Sequence, residues 1–203
     1  MKKTLKRIIL CACFAAVLWT GELISDRQKL RDEILRLHVV AASDSQEDQA
    51  IKLRVRDAVL ESISEDLRNV SDMEQARTYI RENLPRIQQA ANDCLAALGC
   101  EDNALATLQE EIFDKRVYDT FSLPAGVYEA LRITIGSGEG KNWWCVAFPT
   151  LCVPATSEGF EDVAVSAGFS EALTQTLEGE YELRFYLLDL LGRLEGILWK
   201  QGN

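Results

Sequence analysis

The chain has one histidine in 203 residues, and that scarcity removes several chemistries at once. A zinc site of ordinary type draws on several His or Cys ligands, and one histidine does not supply them. Any Ser-His-Asp or Cys-His catalytic set would have to use His38. No Gly-x-Ser-x-Gly nucleophile elbow accompanies it, because Ser137 sits in Ile-Gly-Ser-Gly. His38 therefore reads as a structural residue on the more polar face of a strand, and neither a metal nor a cofactor is expected. A basic excess is also missing. The chain carries 22 Lys and Arg against 32 Asp and Glu, a net charge of −10. Residues 1–24 hold four bases and one acid, so the negative charge lies entirely beyond them. Such a domain repels nucleic acid and anionic membrane surfaces. Long hydrophobic runs are absent too. The uncharged stretch Ile8–Trp19 falls short of the ~20 residues that span a bilayer comfortably. Low-complexity segments and internal repeats do not occur.

What the N-terminus does contain is Lys2, Lys3, Lys6 and Arg7, then the apolar run, then Thr20, Gly21 and Glu22. That order fits a secretory signal peptide or a marginal N-terminal anchor over residues 1–24, with 25–33 as a linker and 34–203 as one domain. Export would place Cys94, Cys100, Cys145 and Cys152 in an oxidising compartment, where four cysteines allow three pairings. Cys145–Cys152 is the favoured pair, since Phe148-Pro149-Thr150 can turn the chain between them. Cys94 and Cys100 stay open between a bridge and free thiols.

The periodicities predict an α+β domain with an antiparallel sheet and helices packed on it. Leu35, Leu37, Val39 and Ala41 alternate as a strand. Ser45 caps a helix over 46–67, and Ser71-Asp72 a second helical stripe ending at Gly99. Pro85 implies a kink or a restart within that stripe. Three strands follow, over 105–113, 128–135 and 143–148, with Gly136–Lys141 closing a hairpin. Helices are expected over 171–177 and along the leucine-rich C-terminus. That last helix has a composition that suits membranes, but its acids Glu182, Asp189 and Glu195 favour a core position.

The most informative stretch is Asn142-Trp143-Trp144-Cys145 through Cys152, preceded by Gly136-Ser137-Gly138-Glu139-Gly140-Lys141. The glycine-rich loop is not a P-loop, because Ile135 and Asn142 occupy the places of the first Gly and the Ser or Thr. Adjacent strand residues face opposite ways, so only one of Trp143 and Trp144 can enter a given core face. Lys141, Asn142, Trp143 and Trp144, supported by Tyr128 and Arg132 on the preceding strand, form an aromatic and polar face. These are the residue types that carry most interface energy.

Two of these stretches have a further property. Leu37-His38-Val39-Val40-Ala41-Ala42-Ser43-Asp44-Ser45 with Lys52-Leu53-Arg54-Val55-Arg56-Asp57-Ala58-Val59 resembles the opening of the stage II sporulation protein R family. Leu123-Pro124-Ala125-Gly126-Val127-Tyr128, followed by Gly138-Glu139-Gly140-Lys141-Asn142-Trp143-Trp144-Cys145 through Cys152, resembles its second motif. The family usually has Asn where this chain has Ala42, and Pro at Gln46 and Thr150. The resemblance implies a secreted signal of endospore-forming bacteria. Such a protein crosses the forespore membrane into the intermembrane space. There it activates a membrane-bound aspartic protease of the mother cell, which processes a sigma-factor precursor. It is not itself an enzyme, and it touches membrane only through its N-terminal segment. The alternative expectation is a secreted hydrolase acting on the cell wall, working through His38 or a carboxylate pair.

Overall fold

A computed structural model describes residues 2–118, 121–148, 171–178 and 183–202. Helix α1 (Lys2–Glu33) leads into strand β1 (Leu35–Val40), then α2 (Gln46–Arg68) and α3 (Met73–Ala97). Strands β2 (Ala104–Phe113), β3 (Arg116–Val117), β4 (Ser122–Leu123), β5 (Gly126–Ile135) and β6 (Asn142–Phe148) follow. Helices α4 (Glu171–Glu178) and α5 (Leu183–Gly202) complete the order.

The main sheet has the order β2-β5-β1-β6. It is mixed, which corrects the antiparallel expectation. β1 pairs parallel with β5 and antiparallel with β6, while β2 pairs antiparallel with β5. A parallel pair needs a long crossover, and here α2, α3 and β2 all lie between β1 and β5 in the chain. β1 is buried along its whole length because helices cover both faces of the sheet. One face packs on α2 and α3 through Leu35, Leu37, Val39, Ile80, Leu131 and Ile133. The other meets α1, α4 and α5 through Leu30, Phe113, Tyr128, Leu173, Phe185 and Leu188.

Local signals explain the helix ends. The Ser45 hydroxyl accepts from the Asp48 N–H at 3.0 Å, and the Asp72 carboxylate from the Gln75 N–H at 2.9 Å. Gly99, at φ +71°, closes α3. Its N–H reaches the Ala96 carbonyl and that of Cys100 the Leu95 carbonyl, the Schellman pattern. α3 runs through Pro85 as one helix.

Residues 25–33, expected as a linker, are the last turns of α1. Leu23, Asp26, Arg27, Leu30 and the following Ile34 are buried at helical spacing, so this part of α1 belongs to the core. Toward the N-terminus, Leu10, Phe14, Val17 and Leu18 are exposed. Among the described residues no helix is long and apolar enough to cross a membrane.

Gly136–Lys141 does not close a hairpin, because β1 lies between β5 and β6. The loop instead passes over the end of β1. The Gly140 N–H donates to the Ala41 carbonyl at 2.9 Å, the Ser137 hydroxyl to the Ala42 carbonyl at 2.8 Å, and the Lys141 N–H to the Asp44 carboxylate at 2.8 Å. A Cβ on Gly140 would fall 2.3 Å from the Ser43 carbonyl oxygen, so close backbone approach demands glycine there.

Candidate partner-docking surface

β6 is an edge strand whose first two residues are exposed. Its start is held from below by Lys52, a buried residue of α2 whose ammonium donates to the Lys141 carbonyl at 2.9 Å and to Gln49 at 2.6 Å. Burial pushes the Lys52 amine down, with Asp44 opposing. Lys141 and Asn142 are exposed above this anchor.

The two tryptophans part company as strand geometry requires. Trp143, 37% exposed, lies on the α2 side with the Arg56 guanidinium 4.4 Å from its ring centroid. Trp144 turns to the opposite face. There the register sets Thr107, Arg132, His38 and Trp144 side by side across all four strands. Trp144 is half-buried between the His38 ring, whose centroid is 5.6 Å away, and the Arg116 guanidinium, 3.6 Å from its own centroid.

His38 is buried in the middle of β1, with an exposure of 6%. Its Nδ1 lies 2.5 Å from the Glu111 carboxylate and its Nε2 2.9 Å from Asn142 Oδ1. Glu111 also accepts from Arg132 at 3.2 Å and from Gln109 at 2.8 Å. Burial raises the Glu111 carboxyl, but the hydrogen bond and charge of His38 and the Arg132 guanidinium outweigh it and hold it below the ordinary carboxylate range. Both ring nitrogens are thus occupied in fixing the sheet face, in keeping with the structural reading of His38. Among the described residues no group of three or more His, Cys, Asp or Glu could hold a metal.

Below this row Arg36 is fully buried. It donates to the Cys145 carbonyl at 3.3 Å and to the Tyr118 hydroxyl at 2.9 Å, and it lies 4.3 Å from the Phe113 ring centroid. Its Nη1 has no hydrogen-bond partner, and among the described residues no carboxylate pairs with it. Aromatic faces take the place of a counter-ion.

The structure therefore joins Asn142, Trp144 and Arg132 through His38 and Glu111 on one face of the sheet, leaves Trp143 on the other, and exposes Lys141 at the start of the strand. Tyr128 is corrected out of the surface. It has no exposure, its hydroxyl donates to the Pro124 carbonyl at 2.9 Å, and it accepts from Arg27 at 3.1 Å. Its strand position is even-numbered like Arg132, but α1 and α5 cover that end of the face. Glu111 was not separable from the other acids by sequence. Its phase with Phe113 on β2 was the available signal, and the register that points it at His38 was not. Cys145 is buried and is not a free thiol, while Cys94 and Cys100 are free. Cys152 lies outside the described residues, and the expected Cys145–Cys152 pairing with it.

The family model described as stage II sporulation protein R matches residues 31–158. That range covers the whole sheet and the docking surface. The stage II sporulation protein R of Bacillus subtilis (strain 168) is 35% identical over 171 residues, covering 78% of this chain and 75% of its own length. No solved structure matches. More than half of the chain fits the family model, and the relative's similarity extends across most of both proteins, so this chain belongs to the stage II sporulation protein R family of sporulation proteins.

Proposed function

We propose that this protein is a secreted forespore-to-mother-cell signal that activates a membrane-bound aspartic protease processing a sigma-factor precursor. The N-terminal segment, as a signal peptide or a marginal anchor, carries it across the forespore membrane into the intermembrane space. Family membership supports the setting. The observation that carries the docking role is the pre-set start of β6. Lys141, Asn142 and Trp143 are exposed, yet the strand beneath them is fixed by Lys52, Asp44 and His38, so little order has to be gained on binding. A Cys145–Cys152 bridge would fix the middle of the same strand in the oxidising space. Arg132 and Trp144 flank the contact, with Arg132 held by Glu111.

Lys141→Glu and Trp143→Ala test this reading, since both side chains lie at the surface. Precursor processing in sporulating cells should be lost, with export and far-UV circular dichroism unchanged. Normal processing by the double variant would place the contact elsewhere. Purified protein should also bind the exposed portion of the protease, with affinity at least tenfold weaker for the double variant. Release of fragments from peptidoglycan by the purified protein would instead favour a hydrolase.

A further inference from the structure

The acidic character of the chain conceals one face that is not acidic. On α5 the exposed residues include Leu183, Tyr186, Leu190, Leu194, Ile197 and Leu198, at helical spacing. The charged residues exposed on the same helix are Arg193 and Lys200, both basic. Of the acids that favoured a core position, Asp189 is buried and Glu195 is half-buried, while Glu182 lies outside the described residues. The Asp189 carboxylate accepts from the Ala125 N–H at 2.8 Å and from Arg193 at 2.8 Å. Glu195 accepts from Arg27 at 2.6 Å and from Arg31 at 3.2 Å. Their charge is spent inside the fold, and the outer face is left apolar and basic.

This face continues onto α1. A cavity of about 540 Å³ lies between the two helices, lined by Ile24, Arg27, Leu191, Leu194, Leu198 and Trp199 among others. From Ile24, 61% exposed, α1 runs back through exposed Leu18, Val17, Phe14 and Leu10 to exposed Arg7 and Lys6. Exposed Glu22 is the acid within this stretch of α1, and α5 has no fully exposed acid among the described residues. Apolar side chains with Arg193 and Lys200 beside them match the surface of an anionic bilayer: acyl chains accept the former and headgroup phosphates the latter.

We propose that α5 is a second membrane-contacting element, its outer face lying on an anionic lipid surface beside the point where α1 reaches the same bilayer. The proposal rests on the reading of α1 as an anchor. The net charge of −10 does not prevent it, because repulsion acts through unpaired acids near the lipid, and on α5 Asp189 is buried while Glu195, which lines the cavity, is neutralised by Arg27 and Arg31.

The test uses the full chain and vesicles of phosphatidylcholine with or without phosphatidylglycerol, doped with a lipid that releases a carbene on illumination. Labelled residues are mapped by mass spectrometry. Label should appear on Leu10, Phe14, Val17, Leu18 and Ile24 of α1 and on Leu190, Leu194, Ile197 and Leu198 of α5. Buried Leu188, on the same helix, should stay unlabelled. The α5 label should fall several-fold without phosphatidylglycerol, and equally in an Arg193→Glu, Lys200→Glu variant, while the α1 label persists. Label on α1 alone would overturn the role of α5 and leave the anchor intact. Absence of label from both would overturn both. Label on Leu188 would mean that α5 unfolds on the vesicle, against the proposal. So would an unlabelled α5 that forms copy-to-copy crosslinks without vesicles, which would make the face a self-association surface.

Discussion

The two faces of the sheet are built on different physics. The face under α2 and α3 is closed mainly by aliphatic side chains, with Lys52 of α2 as a buried charge beside them. The face under α1, α4 and α5 buries Arg27, Arg36 and His38 among aromatic rings. Aliphatic packing is non-directional and needs only volume and pattern. Buried polar side chains need named partners: Glu195 and Tyr128 for Arg27, Phe113 and Tyr118 for Arg36, Glu111 and Trp144 for His38. The second face thus depends on particular pairings, and the first on volume and pattern.

The largest expected effect breaks the aliphatic face. Ile133 is fully buried between the sheet and the helices, so Ile133→Ala should cost about 2–5 kcal/mol, read as a lower urea midpoint. A smaller loss, about 1–3 kcal/mol, is expected from Gly192→Ala. A Cβ at Gly192 would fall 1.6 Å from the Ala125 carbonyl oxygen, so α5 must lift from the sheet. Thermal unfolding and proteolysis at α5 would register this, with α2 and α3 still protected.

Arg36→Met sharpens the comparison further. Arg36 has an unpartnered Nη1 and is fully desolvated, so an apolar side chain of similar length should leave stability within about 1 kcal/mol of the parent or raise it. A loss well beyond that would mean that the Phe113 contact and the Tyr118 bond outweigh desolvation. The smallest effect is in pH. The folded Glu111 carboxyl sits below its unfolded value, so its contribution is present above the ordinary carboxylate range and fades as pH falls through the folded value. Glu111→Gln should flatten the acid limb of a stability-against-pH curve, and an unchanged limb would exclude Glu111 as its source.

Much of the architecture was legible residue by residue. Ser45, Asp72 and Gly99 mark helix ends because capping is local, satisfied within a few residues of chain. The strands at β2, β5 and β6 and the opposed faces of Trp143 and Trp144 followed from a period of two. The site was only partly legible. Lys141, Asn142 and Trp143 proved to be surface, whereas Tyr128 proved to be core under α1 and α5. Glu111 and His38 gained their importance from strand register alone.

By itself, then, the sequence determined the two helices after β1, the strands of the main sheet, the apolar face of each, and which family motifs the chain bears. The tertiary structure decided that β1 enters between β5 and β6, that the last turns of α1 are core, and that the acids of α5 face inward. The reason is that periodicity and capping act over one or two turns of chain. Strand order and charge pairing join residues as far apart as Arg27 and Glu195, whose partners are fixed only when all layers close together.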